Sequence, residues 1–351
     1  MAVLNFIECE AHREVLIAAL RESCNIVEKG ASMERIAVIS VYYGALPPYY
    51  RLWLRSCAFN PTIDFFLVTD IDIDGRQLPQ NVRKIPLSFD DFRELAAKKL
   101  GRSVRMDTPY KICDYKVMYG VILEDYLKGY DYWAHCDMDL IFGDLRSFFD
   151  TYQLSRYDRF LHLGHLSLYR NTQDCNRYFK LPGSKCGDWE HVISTPENCV
   201  FDEWPGICEI YHQNNLPMFE QRIFADISMR YSRFRLALKD KNYNQQVFYW
   251  ENGHVFRSYW MHGAEHRDEF IYIHFQKRKF EKESFDAASA TAFYIGPNGF
   301  TEKRGAASLS DVEKINPYHG ALYEKAEFIK VTLAGKKKGL EKRLRRHLVK
   351  K

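Results

Sequence analysis

No Cys-x-x-Cys pair occurs among the nine cysteines, and no apolar leader opens the chain. Both absences argue against a disulfide framework and for reduced thiols in a cytoplasmic protein. Cys175, Cys186, His191, Cys199, Cys208 and His212 crowd one region, but their spacing is not that of a zinc site. No apolar run approaches the roughly 18 residues that a membrane span requires, so a transmembrane helix is not expected. Internal repeats and low-complexity linkers are also missing, which points to one domain with elaborations.

Net positive charge is absent except at one end. The chain has a formal charge of +4, yet its last 17 residues, GKKKGLEKRLRRHLVKK, hold nine Lys and Arg against one Glu. That places +8 on the tail and leaves −4 on the other 334 residues. A nucleic-acid-binding body is therefore not expected. Within the tail Leu340, Leu344 and Leu348 recur every four residues. This spacing predicts a basic amphipathic helix over 335–351 that could rest on an anionic membrane surface, with a solvated tail as the alternative.

What is abundant is aromatic: 23 Tyr, 24 Phe and 6 Trp in 351 residues. Such residues build cores first, and they also stack on sugars and bases. Residues 1–32 read as a helical appendage, with Met33 an alternative start directly before the first clear strand. From there the pattern alternates. RIAVISVYYG (35–44), DFFLVTD (64–70) and NVRKIPL (81–87) read as strands, PPYYRLWLRSCAFN (47–60) as a helix. SFDDFRELAAKKL (88–100) reads as a helix capped by Ser88, and PYKICDYKVMYGVILEDYL (109–127) as a longer one. RFLHLGHLSLYRN (159–171) reads as a strand and turn, residues 172–215 as irregular loops, and EFIYIHFQKRKF (269–280) as a late strand. Together these predict an α/β fold with a mostly parallel central sheet. The expected organisation is a main domain over 33–285, an extension over 286–334 and the tail.

The chemistry gathers in YDYWAHCDMDLIFGDL (130–145). Asp137 and Asp139 follow an apolar strand, where carboxylates are costly unless a cation meets them. Two carboxylates on one face at a strand end suit a hard divalent ion, Mn²⁺ or Mg²⁺, with a substrate phosphate completing its shell. Ligands of parallel sheets bind beyond the carboxyl ends of the strands, where Tyr43, Gly44 and Asp70 also fall. His274 in YIHFQKR could add an imidazole to the metal, and Lys277 and Arg278 could neutralise a diphosphate. The bland alternatives are a turn with exposed aspartates and a structural histidine beside a solvated basic turn.

A D-x-D after an apolar strand, with a distant C-terminal His before basic residues, resembles the nucleotide-sugar-dependent glycosyltransferases of GT-A fold. IAVISVYYGALPPYYRLWLRSCAFNPTIDFFLVTD, PYKICDYKVMYG, GYDYWAHCDMDLIFGDL and LGHLSLYRN are similar to a family of bacterial glycosyltransferases of capsule and O-antigen loci. The likeness covers about residues 35–280. It implies a UDP-sugar donor held through Mn²⁺ or Mg²⁺ by Asp137, Asp139 and His274, with Tyr43, Gly44 and Asp70 lining the nucleoside pocket. Lys111, Asp114 and Lys116 would lie along the donor, although Lys111 and Asp114 could equally pair at i,i+3 on a helix surface. The acceptor would be a saccharide, free or lipid-linked. Asp202, Glu203 and Asp188 are the candidate bases for its hydroxyl, two of them beside Trp204. A catalytically silent sugar-binding scaffold is the main rival. A phosphatase of haloacid-dehalogenase type is a weaker one, because its aspartate pair belongs after an early strand.

Overall fold

The computed structural model describes residues 33–237, 241–276, 278–281 and 283–349, with side chains described as far as Lys337. The expected N-terminal helix and Lys277 lie outside the described residues, as do the side chains of Leu340, Leu344 and Leu348. Residues Ile36–Lys351 form one compact unit.

The first half runs β1 (Ile36–Val41), α1 (Tyr50–Ala58), β2 (Ile63–Thr69), β3 (Val82–Pro86), α2 (Phe89–Leu100), α3 (Tyr119–Ile122), β4 (Tyr132–Cys136), β5 (Leu140–Phe142) and α4 (Leu145–Thr151). It continues through β6 (Arg159–Leu163), β7 (Leu166–Arg170), α5 (Trp189–Ser194), α6 (Ile207–Gln213), β8 (Met218–Phe219) and β9 (Ala225–Asp226). The rest is β10 (Gln246–Glu251), β11 (His254–Met261), β12 (Ala264–Phe270), β13 (Tyr272–His274), β14 (Ala292–Gly296), β15 (Gly299–Glu302), α7 (Leu309–Ile315) and α8 (Ala321–Val349).

The central sheet has the order β3-β2-β1-β4-β7-β6-β8. β3, β2, β1 and β4 are parallel neighbours, β7 pairs antiparallel with both β4 and β6, and β8 is parallel to β6. This is the α/β class with a mostly parallel sheet that the sequence predicts. Alternation splits the strands between two cores. Ala37, Ile39, Phe66, Val68 and Trp133 pack with Phe92 and Ala96 of α2, while Ile36, Val38, Phe65, Leu67 and Tyr132 pack with Trp53 of α1 and Phe149 of α4. Each large side chain so buried contributes about 1.5–3 kcal/mol. Ser88 caps α2 as expected, its hydroxyl accepting from Asp91 N at 3.1 Å, and Gly101 ends the helix in the left-handed region at φ 67°.

Three predicted elements differ. Residues 109–127 are not one α-helix: Pro109–Met118 is a 3-10 helix, followed only by the single turn of α3. In that geometry residues i and i+3 eclipse, which sets Lys111 against Asp114 and Cys113 alongside Lys116. The loop region 172–215 contains α5 and α6. The late strand is broken at Ile271, with β12 in the antiparallel sheet β12-β11-β10-β14-β15 and β13 in a small third sheet, β5-β13-β9. That break brings His274 onto the β4–β5 connection, since β13 pairs with β5 through His274 and Leu140.

Candidate functional site

β1 and β4 are adjacent and parallel, so their carboxyl ends open side by side. Beyond them lies a cleft of about 370 Å³, lined among others by Tyr42, Tyr43, Tyr49, Tyr110, Lys116, Asp137 and Asp139. β4 stops at Cys136, so Asp137 and Asp139 stand in the three-residue link to β5 and not on one strand face. The link turns both carboxylates toward His274. One ligand atom from each of Asp137, Asp139 and His274 lies within 4.8 Å of the others.

Each member is held from behind. Asp137 N donates to His165 O at 2.9 Å, and Asp137 Oδ1 sits 2.6 Å from Lys116 Nζ. Lys116, almost fully buried, also donates to Gly164 O at 2.8 Å and faces Asp202 Oδ2 at 3.4 Å. Burial opposes its charge, but Asp137 and Asp202 outweigh burial and hold the ammonium well above its ordinary pKa. Burial raises the Asp137 carboxyl against the pull of Lys116, and the charge of Asp139 adds to the rise. His274 Nε2 lies 3.5 Å from Asp139 Oδ1, while its Nδ1 bonds Asp226 Oδ1 at 2.9 Å. Burial disfavours the imidazolium, yet Asp139 and Asp226 together push its pKa up to about 9. Gln276 Nε2 donates to the same Asp226 oxygen at 2.9 Å, and His165 stacks on His274 with ring centroids 4.1 Å apart.

The remaining predicted residues separate. Tyr43 lines the cleft and donates its hydroxyl to Ser88 O at 3.3 Å. Gly44, at φ +105°, and Asp70 are exposed at the same sheet end. Asp202 is 5% exposed and meets the cleft through Lys116; burial pushes its carboxyl up to about 7 against the pull of Lys116, and the charge of Glu203 adds to the rise. Glu203 Oε1 accepts from Gly164 N at 3.0 Å. Gly164 has to be glycine here, because a Cβ would come within 2.3 Å of Asp202 Oδ2. Asp188 caps α5 by accepting from His191 N at 2.7 Å and is not part of this cluster.

Lys111 and Asp114 do pair at i,i+3, 2.8 Å apart, but wholly buried and not on a surface. Lys111 also donates to Glu197 O at 2.6 Å, and Asp114 accepts from Cys199 N and Phe201 N, both at 2.9 Å. Their polar atoms are spent on the 197–201 loop. Arg278 is likewise engaged, donating to the carbonyls of Ser228, Tyr231 and Ser232.

The sequence reading did not single out Tyr42, Tyr49, Asp226, His165 or Gln276. Tyr42 stands next to Tyr43 and could have been read with it. Asp226 sits in a two-residue strand whose pairing with β13 leaves no local pattern. Cys175, Cys186 and Cys208 bond to Tyr211, Ser184 and Arg159 respectively. Among the described residues the cysteine-rich region offers no metal-competent group; those that exist are Asp137–Asp139–His274 and His165–Asp226–His274.

The model of a family of unknown function, DUF6625, matches residues 38–304. The chain belongs to this family. The DUF6625 stretch runs from β1 past β15, taking in both aspartates and His274 and leaving out α7 and α8. A search of curated proteins found no match. Solved structures that align include the galactosyltransferase LgtC with donor and acceptor sugar analogs, 12% identical over 54% of this chain and 75% of that one, TM-score 0.35. Mouse xyloside xylosyltransferase 1 aligns at 6% identity over 56% and 88%, TM-score 0.35, and the Streptococcus pneumoniae glycosyltransferase GlyE at 12% over 55% and 46%, TM-score 0.31. At such TM-scores the alignments decide nothing about the DUF6625 site, which stands on its own side chains.

Proposed function

We propose that this DUF6625 chain is a metal-dependent glycosyltransferase of GT-A type. It would move a sugar, a UDP-hexose in the first instance, to a saccharide or lipid-linked saccharide of a bacterial surface polysaccharide. The observation that carries the reading is the convergence of Asp137, Asp139 and His274, from well-separated segments of the chain, at the mouth of a tyrosine-lined cleft. Two carboxylate oxygens and one imidazole nitrogen are a donor set that fits Mn²⁺ or Mg²⁺. When bound, the ion supplies positive charge against the leaving diphosphate.

The chain's own residues provide the rest. Lys116 is fixed at the cleft by three oxygens and presents a cation to donor oxygens. Tyr42, Tyr43 and Tyr110 offer aromatic faces to the base or sugar. If transfer inverts the sugar carbon, a carboxylate must take the acceptor proton, and Asp202 is the one of the three candidates that shares a cation with Asp137. Asp226 is read as a positioning residue: by accepting from Nδ1 it turns His274 Nε2 toward Asp139. Asp226→Asn is expected to weaken Mn²⁺ binding, measured by titration calorimetry, by about 10–100-fold. Unchanged affinity would remove the positioning role.

The deciding experiment is thermal stability with UDP, GDP, CMP and ADP, each with and without Mn²⁺. A ligand that binds only the native state stabilises by about 2.7 kcal/mol at a hundred times its Kd. One nucleotide should raise the melting temperature only with Mn²⁺, and the rise should vanish in Asp137→Ala. Because the metal-free His274 holds a proton up to about pH 9, the Mn²⁺ effect should grow as pH rises toward that value. No shift with any nucleotide would favour the silent sugar-binding scaffold.

A further inference from the structure

α8 has two unlike sides. At roughly 100° per residue, Glu324, Glu327 and Phe328 share one side, and Leu322, Ala326, Ile329 and Leu333 share the opposite one. The first side is docked. Glu324 pairs with Arg233 at 3.4 Å and with Arg235, Glu327 accepts from Ser232 N at 3.3 Å, and Arg230 lies over the Phe328 ring at 5.2 Å. The second side has no such cover: Leu322 is 84%, Leu333 61% and Ile329 47% exposed. Single exposed leucines are ordinary, but three in register along one face, opposite the docked face, form a stripe.

Lys325, Lys330, Lys336 and Lys337 are all exposed and flank that stripe. Residues 321–351 hold 11 Lys and Arg against three Glu, and two of those Glu, Glu324 and Glu327, are the ones turned to the body. Residues 321–351 thus carry +8 while the preceding 320 residues carry −4. In sequence register the stripe continues at Leu340 and Leu344, inside the helical span that ends at Val349.

We infer that the Leu322–Ile329–Leu333 face of α8 is a binding surface for an anionic lipid bilayer, lying in its interface with the flanking lysines at the phosphates. Apolar residues on one side and lysines along both margins are what such a surface selects. A second copy of the chain is a poorer occupant, because pairing along the stripe would bring the lysine margins together, like against like. This inference does not depend on the glycosyltransferase reading.

The test is co-sedimentation of the full chain with vesicles of phosphatidylcholine alone and of phosphatidylcholine partly replaced by phosphatidylglycerol. The chain should sediment only with the anionic vesicles, less so at high salt. The triple variant Leu322→Glu, Ile329→Glu, Leu333→Glu should bind about tenfold less or worse with an unchanged melting temperature, since all three residues are exposed. Two results would overturn the inference. One is unchanged binding by the triple variant. The other is a wild-type dimer in light scattering that the triple variant converts to monomer, which would make the stripe a contact between copies.

Discussion

In an Asp139→Asn variant, sugar transfer is expected to fall by about 10²–10³-fold while the metal-free chain stays folded with only a modestly lower melting temperature. The two halves of that result have separate causes. Asn keeps the shape of the side chain and one acceptor oxygen, but not the charge that would hold the ion. In the metal-free chain the same charge acts in two directions. It repels Asp137, whose carboxyl it helps to raise, and with Asp226 it holds the buried His274 protonated. Relief of the repulsion offsets part of the lost support of His274, so the fall in stability is modest. Asp137→Asn is a different case, because Asp137 Oδ1 is 2.6 Å from the buried Lys116 ammonium. Removing that charge leaves Lys116 leaning on Asp202 alone, so this variant should lose stability as well as transfer. Full transfer by Asp139→Asn, at any stability, would end the assignment of the site.

The parts of this arrangement that were legible in the sequence are those set by short-range physics. β1 and β2 announce themselves as apolar runs because both of their faces are buried, whereas β3 shows only the alternation of buried Val82 and Ile85 with more exposed neighbours. Ser88 announces α2 because a cap is a local hydrogen bond. Asp137 and Asp139 stand out because carboxylates beside a buried strand demand compensation. What could not be read depends on contacts far along the chain. The 3-10 helix carries apolar residues at helical spacing, and no local pattern marks its tighter winding or the burial of seven of its ten residues, Lys111 and Asp114 included. Asp226 and Gln276 acquire meaning only once β9 pairs with β13. The basic residues after His274 looked like a phosphate clamp, yet Arg278 is consumed by three carbonyls of the 228–232 loop.

Lys111 shows how far a plausible sequence reading and a structural one can diverge, and it yields the largest expected effect on stability. Its ammonium and the Asp114 carboxylate are 1% and 0% exposed, so each depends on the other for its solvation. Replacing one member of a buried pair costs about 3–5 kcal/mol, because the other charge is left without compensation. Lys111→Met should therefore lower the melting temperature by about 10 °C. In the double variant Lys111→Met, Asp114→Asn, the orphaned charge is gone and part of the loss should return. The recovery is incomplete because Asp114 also accepts from Cys199 N and Phe201 N, and a single amide oxygen serves both less well. Donor kinetics separate the two roles. If the pair only props the 197–201 loop, folded Lys111→Met assayed well below its melting temperature keeps the native donor KM. If Lys111 instead touches a donor phosphate, KM rises at least about tenfold while the melting temperature hardly moves. The ammonium's two contacts, to Asp114 and to Glu197 O at 2.6 Å, favour the first outcome.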